Sequence, residues 1–160
     1  MSGLSYDWLS KHKDTKGTKV RAFEPIPEDT ERVAKEVVDA AFKVHSTLGP
    51  GLLESVYKAC FVHELRRRGL DVKSEVVLPI VYEGLRLATG LRLDLLVAGL
   101  VIVELKAVEK INPVFEAQLL TYVRLSGLRL GLLINFTVPL IKNGIKRISR
   151  MTLCPWCLCV

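Results

Sequence analysis

The sequence predicts one α/β domain in which helices flank a central mixed β-sheet. Apolar residues recur at helical spacing over the first third of the chain, which indicates two helices. Val-, Ile- and Leu-rich alternating stretches then indicate three strands, and a further amphipathic stretch and an apolar run complete the order α-α-β-β-β-α-β. With 160 residues, of which 49% are hydrophobic and 25% charged, the chain is long enough to bury a core.

The first two elements are helices separated by a breaker. Asp29 or Thr30 is expected to cap the first helix, which continues through "ERVAKEVVDAAFKVHSTL" until "GPG" at 49–51 ends it. The second helix, "LLESVYKACFVHELRRRG", is expected to end at Gly69 as its C′ residue. The arginine triplet at 66–68 could contact nucleic acid or could interact favourably with the negative end of the helix dipole, and we favour the second interpretation.

The remaining elements are strands with one helix between them. Three strands are expected within "VKSEVVLPIVYEG", "LRLATGLRLDLLVAG" and "LVIVELKAV". Pro113 begins and Gly127 ends the helix "PVFEAQLLTYVRLSG", and the strand "LRLGLLINF" follows it. We expect "IKNGIKRISR" to be a short, basic, exposed ending.

Both ends of the chain differ from this body. Residues 1–27 form a polar, basic arm, residues 28–150 the domain, and residues 151–160 a cysteine-rich tail with Cys154, Cys157 and Cys159. The net charge is +6, and about half of it comes from residues 1–21, which suits a polyanionic partner. No secretory signal and no apolar run of membrane-spanning length is visible, so a cytoplasmic location and no membrane contact are expected.

Glu104 and Lys106 are unusual inside an apolar strand, and alternation places both on one face. Asp94 interrupts the preceding strand in the same way. A two-residue loop between the strands would put Asp94 and Glu104 on opposite faces. A three-residue loop over residues 98–100 would pair Val97 with Val101 and place Asp94 opposite Glu104.

In the second register, the two carboxylates repel each other unless a cation lies between them. Hard oxygen ligands suit Mg²⁺, and Mn²⁺ is the alternative. The competing interpretation is a buried network of ion pairs without a metal.

A family resemblance rests on these residues. The pattern D-x9-E-L-K, from Asp94 to Lys106, resembles the motif of the PD-(D/E)XK nuclease superfamily. "GLLESVY" at 51–57 is similar to the G-x-x-E-x-x-Y signature of one bacterial family within it. The resemblance covers about residues 30–150 and departs at Leu93, where the superfamily's name has proline.

The resemblance implies a restriction-endonuclease-like fold and a set of site residues. Asp94 and Glu104 would bind the metal, with Glu54 as an additional acidic ligand, and Lys106 would orient or deprotonate the attacking water. Gln118 and Tyr122 lie one helical turn apart and resemble a Q-x-x-x-Y helix that holds the lysine and the substrate.

The same comparison implies a further role and an activity. Tyr57 is grouped with the substrate-binding residues, with packing next to the motif as its main expected role. The expected activity is metal-dependent hydrolysis of nucleic acid, DNA by analogy, and a homodimer is compatible with it. The alternatives are a non-catalytic module that binds nucleic acid or protein, and a subunit that cleaves only with its partner.

Overall fold

The computed structural model describes residues 25–150, except for the side chains of residues 88 and 89. The arm up to residue 24 and the cysteine-rich tail lie outside the described residues. The described elements are α1 (Glu28–Leu48), α2 (Glu54–Arg67), β1 (Val72–Tyr82), β2 (Leu85–Val97), β3 (Val101–Lys106), α3 (Pro113–Ser126), β4 (Leu130–Asn135), a 3₁₀ turn (Ile141–Asn143) and β5 (Ile145–Ser149).

The strands form one mixed sheet in the order β1-β2-β3-β4-β5. Strands β3 and β4 are parallel, and the other neighbouring pairs are antiparallel. A parallel pair needs a crossover connection, and α3 supplies it. The predicted α/β fold with a mixed sheet is thereby confirmed.

The last strand corrects one expectation. The segment "IKNGIKRISR" is a 3₁₀ turn followed by β5, which pairs with β4 from Leu130↔Ser149 to Ile134↔Ile145. Lys146 and Arg147 are exposed, as expected, but Ile148 is buried. Composition alone suggested an exposed ending because charged residues outnumber apolar ones here. Pairing to the edge of a sheet needs only the backbone and one apolar face.

Two hydrophobic cores lie on the two faces of the sheet. One core contains residues of α1 and α2 together with Val103 and Leu105 of β3. The other contains residues of α3 together with Ile102 of β3. Strand β3 alternates between the cores as period-two geometry requires, which places Glu104 on the same side as Ile102 and α3.

The helix ends are partly as expected. Gly69 and Gly127 have the left-handed φ values of 78° and 73° that helix C′ positions favour, and Pro113 is the first residue of α3. The predicted cap of α1 was wrong. The helix begins at Glu28, and its N-cap residue is Pro27, whose side chain has no hydrogen-bond acceptor. Asp29 lies inside the first turn, where its carboxylate accepts from the Thr30 backbone N–H at 2.6 Å.

The register of the β2–β3 hairpin decides between the two loops left open above. Val97 pairs with Val101, so the loop has three residues and the register that brings Asp94 opposite Glu104 is the one formed. Ala98 and Gly99 have φ values of 51° and 68°, as in a type I′ turn, and Leu100 N–H donates to Val97 O at 3.0 Å. Leu100 is therefore the extra residue that sets the register.

At Glu75, the side chains of the β1–β2 hairpin switch from one face of the sheet to the other. Leu95 contributes to the core of α1 and α2, whereas Leu93, two residues earlier, contributes to the core of α3. Glu75 has φ 56° and lies between the paired residues Ser74↔Leu95 and Val76↔Leu93, directly across from Asp94. A residue with a left-handed φ in a strand reverses the face of the sheet to which the following side chains point. Asp94 lies at the position where this reversal occurs.

Candidate active site

Asp94 and Glu104 meet where β2 separates from β3. Backbone pairing between the two strands ends at Leu95↔Val103, one residue before the two acidic residues. Asp94 Oδ2 instead accepts a hydrogen bond from Leu105 N–H at 3.1 Å. The carboxylate of Asp94 thus replaces the next ladder bond and is held beside Glu104.

Glu104 is a buried acid whose two oxygens have different surroundings. The residue is 4% exposed, and Oε1 accepts a hydrogen bond from Lys106 Nζ at 2.9 Å. Oε2 is buried and has no hydrogen-bond partner within residues 25–150. A buried oxygen without a partner is costly, so this atom is the clearest sign that the site accepts a further group.

The charges around Glu104 and Lys106 are unequal. Burial raises the pKa of Glu104, Asp94 raises it further, and the hydrogen bond from Lys106 offsets only part of this. Burial by itself would lower the pKa of Lys106, but the hydrogen bond that Lys106 donates to Glu104 and the negative charges of Glu104, Asp94 and Glu54 raise it. Burial is thus the first cause of the raised pKa of Glu104, whereas the neighbouring carboxylates cause the raised pKa of Lys106.

Lys106 is held at its end of β3 by contacts on several sides. Its ammonium lies 5.2 Å from the centre of the Phe115 ring on α3, at cation–π distance. Beyond it, Phe136 N–H donates to Lys106 O at 2.9 Å. The buried side chain of Asn135 then bonds both backbone groups of Val108, at 3.1 Å to its N–H and 2.7 Å to its carbonyl. Asn135 was not foreseen, because a single asparagine at the end of an apolar strand carries no signal of its own.

Lys58 on α2 is a second site residue that the sequence did not reveal. Its Nζ lies 3.5 Å from Asp94 Oδ1 and forms an ion pair with Glu75 Oε1. A helical spacing of four from Glu54 was the available signal, since residues four apart share a face. Only the contact between α2 and the hairpin shows that this face meets Asp94.

Glu54 is the first residue of α2 and is exposed. It acts on Glu104 and Lys106 through its charge. No group of three or more His, Cys, Asp or Glu within the described range could hold a metal ion. The structure thus brings Asp94 and Glu104 together and leaves Glu54 outside their immediate contacts.

Gln118 and Tyr122 form a pair on α3, on the side of the sheet that carries Glu104. Gln118 Nε2 donates to Tyr122 Oη. Burial raises the pKa of the Tyr122 hydroxyl, the bond from Gln118 partly offsets this, and the charges of Glu104 and Asp94 raise it again. The predicted one-turn spacing therefore yields a hydrogen-bonded pair within the field of the two carboxylates.

Tyr57 has a packing role. The residue is fully buried, stacks on Phe136 with ring centres 4.7 Å apart, and donates from its hydroxyl to Gly49 O at 2.6 Å. The same hydroxyl accepts from Leu52 N–H at 3.1 Å. These bonds fix the loop before α2, so Tyr57 supports the motif and offers no surface to a substrate.

The donors present fit a hard divalent cation. Asp94 and Glu104 supply carboxylate oxygens, one of them buried and unbonded, in a site with excess negative charge. Such an ion would be bound by oxygen atoms, the ligands that hard divalent cations prefer over nitrogen or sulfur.

Comparisons with known proteins agree with this chemistry. A family model described as the PD-(D/E)XK nuclease superfamily matches residues 31–148, which is most of the chain. The chain matches none of the curated proteins and none of the solved structures with which it was compared. None of the helices in the described part of the chain is long and apolar enough to cross a membrane.

Proposed function

The chain belongs to the PD-(D/E)XK nuclease superfamily, and from this premise we propose that it is a metal-dependent nuclease that hydrolyses phosphodiester bonds. Its α/β fold with a mixed sheet is consistent with the restriction-endonuclease-like type. One observation carries the proposal: Oε2 of Glu104 is buried beside a second carboxylate and has no hydrogen-bond partner among the described residues.

Asp94 and Glu104 are the proposed metal-binding residues. A divalent cation bound there would lower the pKa of a water molecule and offset charge on the scissile phosphate. Asp94 is already fixed through its bond from Leu105 N–H, and Glu104 through its bond from Lys106. The protein therefore supplies two preoriented acceptors, and binding requires little rearrangement of either.

Lys106 is proposed as the residue that orients the attacking water and stabilises the transition state. Its raised pKa keeps the ammonium charged, so it acts as a fixed positive charge and hydrogen-bond donor where negative charge develops. The Phe115 ring and the Glu104 carboxylate hold it in place. The positive charge of Lys106 is therefore in position before the reaction begins, as electrostatic stabilisation of a transition state requires.

The remaining predicted residues have supporting roles in the proposal. Glu54 adds negative charge at the start of α2 and is proposed to reach the metal through water. Gln118 and Tyr122 are proposed to position Lys106 and the substrate from α3. Together with Gly51 and Tyr57, Glu54 supports a place in the G-x-x-E-x-x-Y branch of the superfamily.

DNA is the proposed substrate, with RNA as the alternative arm of the test. The preference rests on analogy within the superfamily. The net charge of +6 supports a polyanionic substrate of either kind.

The test is to incubate the purified full-length chain with linear duplex DNA, circular duplex DNA, single-stranded DNA and RNA. Each is incubated with EDTA, Mg²⁺ or Mn²⁺. We expect cleavage only with a divalent cation. Asp94→Asn and Glu104→Gln should each reduce the rate by about 100-fold or more, as loss of one charge-stabilising group does in other enzymes.

Glu109→Gln is the matched control, because Glu109 is an exposed acid in the segment after β3. This variant should cleave like the wild type. Cleavage that persists in EDTA, or that survives both Asp94→Asn and Glu104→Gln, would contradict the metal-dependent mechanism. Binding without cleavage under every condition would favour the non-catalytic module.

A further inference from the structure

Lys58 occupies one side of the Asp94 carboxylate. Its Nζ is 3.5 Å from Asp94 Oδ1, while Oδ2 of the same carboxylate is bonded to the β3 backbone. The side chains are 22% and 21% exposed, so solvent and salt screen this pair less than a fully exposed one. Among the described residues, Lys58 therefore supplies a positive charge at ion-pair distance from Asp94.

Glu75 accepts a hydrogen bond from Lys58, whereas Asp94 lies at ion-pair distance from the same ammonium. Glu75 forms an ion pair with Lys58 and is independently held by Arg92, whose Nε lies 2.8 Å from Glu75 Oε2. The hydrogen bond from Lys58 lowers the pKa of Glu75. Glu75 is therefore a charged acceptor for Lys58 that has a second cationic partner in Arg92.

The backbone of Glu75 supports a dedicated role. A non-glycine residue with φ 56° in a strand is strained, and such strain is concentrated at functional sites. This conformation places Glu75 across from Asp94 at the point where the hairpin changes face. Lys58 lies between the two acids, one helical turn after Glu54.

We propose that Lys58 is the resident counter-ion of Asp94, that a divalent cation displaces it, and that Glu75 retains Lys58 after displacement. This inference rests on the proposed metal-dependent function. An ammonium and a divalent cation that share one carboxylate repel each other strongly at short range. Lys58 therefore lowers the affinity for the cation, and Glu75 limits this effect by drawing the ammonium away from Asp94.

The experiment measures Mn²⁺ binding directly by isothermal titration calorimetry, without a nucleic acid. It uses the full-length wild type, Lys58→Met, Glu75→Gln and the double variant. We expect Lys58→Met to bind Mn²⁺ about tenfold more tightly, the order of factor that Coulomb repulsion between a nearby unit charge and a divalent ion gives in water-like surroundings. Glu75→Gln should bind more weakly than the wild type, because Lys58 then has Asp94 as its remaining acceptor.

The double variant separates retention of Lys58 from a general charge effect. If Glu75 acts through Lys58, Glu75→Gln has no effect in the Lys58→Met background. Equal weakening in both backgrounds would overturn the role of Glu75. Lys43→Met, which removes an exposed lysine of α1, is the control for net charge and should bind as the wild type does.

The remaining outcomes are also decisive. If the wild type binds Mn²⁺ and Lys58→Met binds no more tightly than Lys43→Met, the inference is overturned while the proposed function stands. If neither the wild type nor Lys58→Met binds Mn²⁺, both are overturned. Should Lys58→Met fail to fold, Lys58→Gln replaces it, since it keeps a hydrogen-bond donor and removes the charge.

Discussion

At the scale of single residues, the site depends on two charges inside an apolar strand. Glu104 and Lys106 lie on one face of β3 and bond each other, so neither is left as an isolated buried charge. The pair does not balance the site, because Asp94 and Glu54 add two negative charges to the same field and Lys58 offsets one of them beside Asp94. A purely structural ion network is most stable when its positive and negative charges are equal in number. The surplus of negative charge here therefore favours a site that binds a cation.

Replacing Lys106 with Met tests this interpretation. The change keeps the aliphatic stem and removes the charge. We expect the cleavage rate to fall by about 100-fold or more, because a preoriented charge at the transition state is lost. The free energy of unfolding without metal should fall by less than about 2 kcal/mol, because Glu104 can take up a proton when its partner is gone.

Thermal unfolding and cleavage are measured on one preparation of Lys106→Met. A stability loss of about 3 kcal/mol or more, with residual activity proportional to the folded fraction, would make Lys106 a structural ion-pair partner.

Glu104 also predicts how stability depends on pH in the metal-free protein. Its pKa is raised in the folded state, so the folded protein binds this proton more tightly than the unfolded chain. The corresponding stability is present below the unfolded pKa and is lost as the pH rises through the folded pKa. Glu104→Gln should remove this loss, and its advantage over the wild type should grow with pH.

The measurement is thermal unfolding in EDTA between about pH 4 and pH 7, with Glu109→Gln as the control for an exposed acid. Mn²⁺ should stabilise the wild type and leave Glu104→Gln unchanged. A constant difference between the two proteins at every pH would contradict the raised pKa.

At the scale of secondary structure elements, two residues outside the proposed metal-binding pair position the site. The left-handed Glu75 turns the β1–β2 hairpin over beside Asp94. The Asn135 side chain fixes the chain after β3, where Lys106 is paired with Asn135 across the parallel strands. In each case a single residue acts at a point where the regular hydrogen-bond ladder of the sheet is interrupted or ends.

Asn135→Ala should therefore affect both stability and catalysis. The side chain is buried and bonds both backbone groups of Val108 and the N–H of Thr137. Leaving these groups without partners should cost about 2–4 kcal/mol in the free energy of unfolding. The cleavage rate per folded molecule should also fall, because the end of β3 that carries Lys106 loses its support.

Denaturant unfolding and cleavage kinetics check this prediction. Asn143→Ala, at an exposed asparagine of the 3₁₀ turn, is the control and should change neither quantity. A normal rate per folded molecule in Asn135→Ala would limit Asn135 to a structural role.

At the scale of the whole molecule, positive charge is unevenly distributed along the chain. Residues 1–21 hold five Lys or Arg against two Asp. On the described body, several basic side chains are neutralised by acids, for example Arg147 by Glu31 and Lys146 by Glu116. The arm therefore contains a large share of the cations available to a polyanion.

Deleting residues 1–21 should reduce the salt dependence of DNA binding. Fewer phosphates are neutralised, so fewer counterions are released, and the slope of log K against log[salt] should fall by about 0.9 for each lost phosphate contact. Fluorescence anisotropy with a duplex in EDTA, over a range of salt concentrations, measures this slope for both proteins. An unchanged slope would exclude these lysines and Arg21 from contact with DNA.

The sequence by itself determined the elements, their order and the faces of β3. Helical and strand periodicity record which side of each element is buried, so Glu104 and Lys106 could be placed together on one face. It also marked Asp94 as a candidate partner in one of two possible registers, and it supplied the family resemblance. It missed β5, because the pairing of that short basic segment depends on an edge that β4 presents.

Only the tertiary structure decided which acids and bases actually meet. The sequence allowed two registers for the hairpin, and the extra residue Leu100 selected the one that brings Asp94 to Glu104. Lys58 reaches Asp94 and Glu75 from α2, and the helical spacing from Glu54 indicates the shared helix face but not that this face meets the hairpin. The physical reason is that periodicity reports burial within one element, whereas a site is formed by contacts between elements that are distant in the chain.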